Sequence, residues 1–175
     1  MKNLFFILFL ALFSFSCTEV VFETPQPAKA KQLKEFPSSL QGKYTFVMLN
    51  EQEILEIASN YIDGKDGRQY LSDSLVIKKL GSKYVFNQRI NKEGSATNGK
   101  WSSVVLEEKG CGFLKATAFV ISEDEYVQPF TDAYGASLEG SGQEKQLIVN
   151  PSDEQFNKIS EDKQATLSVI LEKLE

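Results

Sequence analysis

GKYTFVMLN, residues 42–50, decides how the rest of the chain is read. Tyr44, Phe46 and Met48 fall on one side of an extended chain, Thr45, Val47 and Leu49 on the other, and aromatic and β-branched residues dominate both sets. That period of two predicts a strand. The same reading extends to EILEIASNYI (53–62), SLVIKKL (74–80), KYVFNQRI (83–90), KWSSVVLEE (100–108), GFLKATAFVI (112–121), QLIVN (146–150) and ATLSVILEKL (165–174). Gly81-Ser82, Asn98-Gly99 and Gly110-Cys111-Gly112 punctuate these runs at hairpin spacing. Parallel pairing needs long crossovers, for which the chain offers little room, so an antiparallel sheet is expected.

One helix is expected, in NPSDEQFNKI (150–159): Ser152 as N-cap, Gln155 closing a capping box, and Phe156 and Ile159 on one face. The fold class that follows for residues 42–175 is all-β with one short helix. About eight strands would form an antiparallel meander, closed as a barrel or packed as a sandwich.

Upstream, one lysine precedes twelve uncharged residues, Leu4 to Phe15. This is the plan of a secretory signal. Twelve helical residues rise roughly 18 Å, short of a bilayer core. Ser14 and Ser16 are small residues before a cut at Cys17, which predicts a signal peptide over residues 1–16. With Ser16 and Cys17 behind a Leu/Phe-rich run, the segment resembles the signal peptides of bacterial lipoproteins. It departs from their pattern at Ser14 and Phe15, where leucine and a small residue are usual. The resemblance implies a diacylglycerol on the Cys17 thiol, further acylation of the new amino group, and a membrane anchor in the bacterial cell envelope. Thr18 in place of an inner-membrane retention aspartate points to the outer membrane. An ordinary signal peptidase cutting the same bond would instead give a secreted protein. Residues 17–41, with three of the five prolines, read as a flexible tether on which Val20, Val21, Phe22, Phe36 or Leu40 can dock.

From Cys17 on, 18 basic residues face 24 acidic ones. No basic run is dense enough to hold phosphates, so no nucleic-acid partner is expected. There is no histidine. That removes imidazole-dependent nucleophilic catalysis and the usual catalytic zinc sites. The acidic run Glu123, Asp124 and Glu125 reads as a solvated loop. Asp63, Asp66 and Asp73 lack calcium-loop spacing and read as turn residues beside Gly64 and Gly67. No catalytic residue, cofactor or metal is expected. Cys111 reads as a hairpin-tip residue. The stretch PFTDAYGASLEGSGQEK (129–145) is the most loop-like part of the domain, and Tyr126, Phe130 and Tyr134, with the single Trp101, are the candidate ligand or loop contacts. Gly42 and Tyr44 weakly resemble the Gly-x-Trp that opens the lipocalin barrel, which implies a small barrel with room for an apolar ligand. The functional expectation is a membrane-anchored, non-enzymatic binding module for an apolar small molecule or an envelope protein. The alternatives are an assembly subunit with a packed core or a carboxylate-based hydrolase.

Overall fold

Alternating strands and tight turns build one twelve-stranded sheet in the computed structural model, which describes residues 17–48, 51–65, 67–140 and 145–174. The strands are β1 (Thr18–Phe22), β2 (Gly42–Met48), β3 (Glu51–Ile57), β4 (Tyr61–Gly64), β5 (Gly67–Tyr70), β6 (Leu75–Leu80), β7 (Lys83–Arg89), β8 (Trp101–Gly110), β9 (Phe113–Ile121), β10 (Ser137–Glu139), β11 (Gln146–Val149) and β12 (Thr166–Lys173). Two helices, α1 (Asp124–Tyr134) and α2 (Asp153–Glu161), complete the fold. It is all-β, as the alternating sequence requires.

Nine of the strands run antiparallel in the order β6-β7-β8-β9-β12-β2-β3-β4-β5. This sheet curls into a nearly closed barrel. Its two ends are joined by the chain between them: Ser72 bridges Leu75, and Gln88 Nε2 donates to Gln69 Oε1 at 3.0 Å. A strap finishes the closure. Gln32 bridges Lys78, Leu33 N–H donates to the Ile77 carbonyl at 2.9 Å, and Phe36 N–H donates to the Ser59 carbonyl at 2.7 Å. Phe36 and Leu40 from the strap are fully buried inside the curl with Tyr44, Ile57, Ile62, Leu75, Ile77, Phe86, Leu106, Leu114 and Leu171.

A second core lies on the outer face of β6–β9. There Val76, Val85, Trp101, Val105, Phe119 and Ile121 meet Val20 and Phe22 of β1, Leu147 and Val149 of β11, Phe130 of α1, and Phe156 and Ile159 of α2. Phe22, Phe119 and Phe156 form a ring cluster with centroids 5.1–5.3 Å apart.

Several sequence expectations are corrected. The segment 17–41 is not a loose tether: all five residues of β1 are buried, and the remainder is the strap. The packed domain therefore begins at Thr18. Its clamp is polar. Lys78 Nζ donates to the carbonyls of Pro25 at 2.8 Å and Pro27 at 3.0 Å, while Asn87 accepts from Gln26 N–H at 2.7 Å and donates to the Gln26 carbonyl at 2.9 Å. Parallel pairing does occur, between β1 and β11, because the intervening domain serves as the crossover. EILEIASNYI breaks at Ala58–Asn60 into β3 and β4. β12 inserts between β9 and β2, so the sheet is not a pure meander. The first half of the expected loop is helix α1, which tolerates Pro129 and ends at Gly135 in the left-handed conformation. The capping box of α2 forms as the sequence requires, with Gln155 N–H donating to Ser152 Oγ and Ser152 N–H to Gln155 Oε1.

Candidate functional site

The sequence-singled aromatics turn inward. Phe130 is fully buried and Tyr134 packs on it with centroids 4.8 Å apart. Trp101 joins the helix-covered core. Tyr126 packs against that core while its hydroxyl donates to Asp162 Oδ2, a bond that pushes the phenol up to about 12. These side chains fasten α1 to the sheet, and the structure brings all four to one core rather than to one surface.

Cys17 sits directly before β1, partly exposed, with Ser122 as hydrogen-bond partner and burial pushing its thiol up. Residues 1–16, the expected signal peptide, lie outside the described residues. Cys111 is exposed in the β8–β9 turn at φ 51°. Glu123, Asp124 and Glu125 are exposed at the start of α1, and Asp124 pairs with Lys145 at 3.1 Å. Asp63 is held by Arg68, Asp73 is exposed, and Asp66 lies outside the described residues. Among the described residues no group of three Asp, Glu, Cys or His side chains is placed to hold a metal ion.

Sequence reasoning missed one buried carboxylate. Glu19, in the middle of an apolar strand, accepts from Ser102 Oγ at 2.8 Å and from Gln146 Nε2 at 2.7 Å. Burial pushes its carboxyl up, and the two hydrogen bonds and the Lys92 charge oppose the shift. The strands that hold β1 meet at this residue: Ser102 belongs to β8, Gln146 to β11, and Glu19 itself lies across from Val120 of β9. Glu19 is thus a fastening of the N-terminal strand, with no second carboxylate among the groups that shift it.

The outer face of the other half of the barrel, β12-β2-β3-β4-β5, is different. The helices cover β6–β9, whereas here the outward positions carry exposed apolar side chains: Ile54 at 54% of its free exposure, Tyr70 at 54%, Ile170 at 50% and, on the adjoining end of β9, Phe113 at 40%. Register puts them on one face, with polar positions between them. Phe113 lies across from Glu172, Glu172 from Thr45, and Thr45 from Ile54, with Ile170 two residues from Glu172 on the same face. Four large apolar side chains thus stand exposed on a sheet face that neither helix covers, interrupted by polar positions such as Glu172 and Thr45.

At the far end of this face the β4–β5 hairpin carries an ordered polar-aromatic group. Tyr61 and Tyr70 are cross-strand partners with ring centroids 5.7 Å apart, and the Arg68 guanidinium lies 4.0 Å above the Tyr61 ring. Arg68 Nε and Nη2 both donate to Asp63 Oδ2, at 3.1 and 3.0 Å, and the Tyr61 hydroxyl donates to Glu56 Oε1 at 2.8 Å. Each ring and the guanidinium are held by at least one neighbour, which pre-sets their orientation. No protein-family model, no curated protein and no solved structure matches this chain.

Proposed function

We propose that the protein is a lipid-anchored, non-enzymatic binding module of the bacterial cell envelope whose working surface is the exposed outer face of β12-β2-β3-β4-β5. The observation that carries this reading is the exposure of Ile54, Tyr70 and Ile170 on that uncovered face, with Phe113 at its β9 border, whereas the outer face of β6–β9 is packed under the helices. Binding on the outside is favoured over an apolar ligand within, because Phe36, Leu40, Tyr44 and Phe86 are buried in the interior of the curl. The lipid anchor rests on the sequence around Cys17. Its consequence is geometric: with β1 starting at Thr18 there is no spacer, so an acylated Cys17 holds the folded domain against the headgroups. Two or more acyl chains suffice for stable attachment.

The test has two parts. Intact mass of the mature protein from membranes is expected to give a chain starting at Cys17 with added lipid, and Cys17→Ser is expected to leave the membrane fraction. An unmodified chain in the soluble fraction removes the anchor. The binding surface is tested by Ile54→Ser with Ile170→Ser, expected to abolish association with the envelope partner while leaving the fold intact. Unchanged association removes it.

A further inference from the structure

The barrel wall has a slot between β12 and β2. Every residue of β12 from Thr166 to Glu172 has a partner on β9, whereas β2 meets β12 only at Glu172 and Lys173. Beyond Thr45, β2 keeps β3 alone as its neighbour. Alternation tells which backbone groups face the slot. Lys173 N–H donates to the Gly112 carbonyl and Leu174 N–H to the Lys43 carbonyl, both at 2.8 Å, and Val120 N–H donates to the Ala165 carbonyl at 3.0 Å. Odd-numbered positions of β12 therefore turn their backbone groups to β9 and even-numbered ones to the β2 side. The N–H and C=O groups of Ser168 and Ile170 point into the slot, where no strand among the described residues pairs with them.

An open edge of this kind is a template for another strand unless it is short, covered, or blunted by lysine, proline or a bulge. The edges of β5, β6 and β10 obey that rule: Gln32 and Leu33 cover β6, while β5 has four residues and β10 three. TLSVI (166–170) has no such device, and its register with β9 runs without a bulge. The side chains around the slot suit an incoming strand. Val169 and, from β2, Phe46 lie partly buried against the interior core, and Ile170 stands half exposed on the outer face. A second copy of the chain fits poorly, because its β12 is flanked by its own β2, and its β5 and β10 edges are too short to fill the slot.

Resting on the exposed face as the working surface, we propose that the β12–β2 slot receives an extended segment of a partner polypeptide. The segment adds as a strand along Thr166–Ile170, hydrogen-bonds to the backbone of Ser168 and Ile170, and sets apolar residues at alternate positions against Val169 and Phe46.

The test reads single amides by hydrogen exchange in the mature chain, from Cys17 on. In the purified protein, Ser168 and Ile170 are expected to exchange at least about tenfold faster than Leu167, Val169 and Leu171, which face β9. In envelope membranes the two fast amides are expected to slow by about tenfold or more, a pattern that docking through side chains alone does not produce. Slow exchange at Ser168 and Ile170 in the purified protein overturns the slot, and fast exchange in envelopes overturns its occupation. Ser168→Pro removes the N–H that faces the slot and spares the β9 ladder. It is expected to keep the thermal midpoint within about 5 °C of wild type and to restore fast exchange at Ile170 in envelopes, whereas Ser168→Ala keeps it slow. A larger fall in the midpoint would show that the Ser168 N–H is already bonded, and slow exchange at Ile170 in the Pro variant would show that no strand adds there; either overturns the proposal. Failure here is separable from failure of the broader reading. Association lost in Ile54→Ser with Ile170→Ser but kept in Ser168→Pro discards the slot and keeps the face, whereas association kept in both discards the face.

Discussion

The two halves of the barrel wall are built from similar strands yet finished differently. Over most of β6–β9, away from the β8–β9 turn where Phe113 is exposed, both faces are buried, one against the interior and one against α1, α2, β1 and β11. In β2–β5 and β12 only the inner face is buried, and the outer one meets solvent with Ile54, Tyr70 and Ile170 on it. The sequences follow this difference. LVI at 75–77 and AFVI at 118–121 are unbroken apolar runs, whereas EQEILEI at 51–57 mixes charge with apolar residues. A strand covered on both sides has no position left for a charge that lacks a partner. The teaching is that stability and function are divided between the halves, and each prediction below bears on that division.

The largest effect is expected in the doubly covered half. Phe156→Ala opens the ring cluster with Phe22 and Phe119 and is expected to cost about 3 to 5 kcal/mol in urea unfolding. A cost near that of a surface residue would mean that α2 is not fastened there. Asn87→Ala comes next. It removes the partner of Gln26 and of the Ser103 hydroxyl, and about 2 kcal/mol is expected. Limited proteolysis should then show faster cleavage within residues 24–41 if the strap depends on this bond.

Glu19→Gln sharpens the comparison through pH. The folded-state carboxyl is pushed up by burial, so the wild type is relatively most stable below the ordinary carboxylate range. That contribution is lost as pH rises through the folded value. The Gln variant, still able to meet Ser102 and Gln146, is expected to match or fall below wild type at about pH 4 and to gain on it as pH rises. A difference that does not change with pH contradicts a raised carboxyl. Ser152→Ala is expected to cost about 1 kcal/mol by removing the capping box of α2. The smallest stability change, within about 0.5 kcal/mol, is expected for Ile54→Ser and Ile170→Ser in the other half. A large loss at either position would mean that the outer face is structural.

Most of the curled sheet was legible from periodicity, and the α2 helix from Ser152 and Gln155, because both signals are local. What failed was non-local. TEVVF reads as part of a tether because three of the five prolines lie in the same segment, yet Val20, Val21 and Phe22 are buried by β11, more than a hundred positions on, and by β8 and β9. The strap prolines are compatible with order because Lys78 and Asn87 satisfy the carbonyls around them. Helix α1 was hidden by Pro129 and by a start at Glu123 that has no side-chain cap, and its one fully buried residue, Phe130, gives no periodic stripe. Glu19 was invisible as a buried group, since its partners lie on β8 and β11. The exposed outer face was equally unmarked: Ile54 and Ile170 look like core residues until the register assigns them outward.

The most direct test of the central claim is carbene footprinting of the protein in intact envelopes and after purification, read at Ile54, Tyr70 and Ile170. Leu138 of β10, also exposed but on the covered half, serves as reference. The account predicts strong labelling of all four residues in the purified protein, with Ile54, Tyr70 and Ile170 protected in the envelope and Leu138 unchanged. Equal labelling of the three in both states, or protection of Leu138 alone, would contradict it.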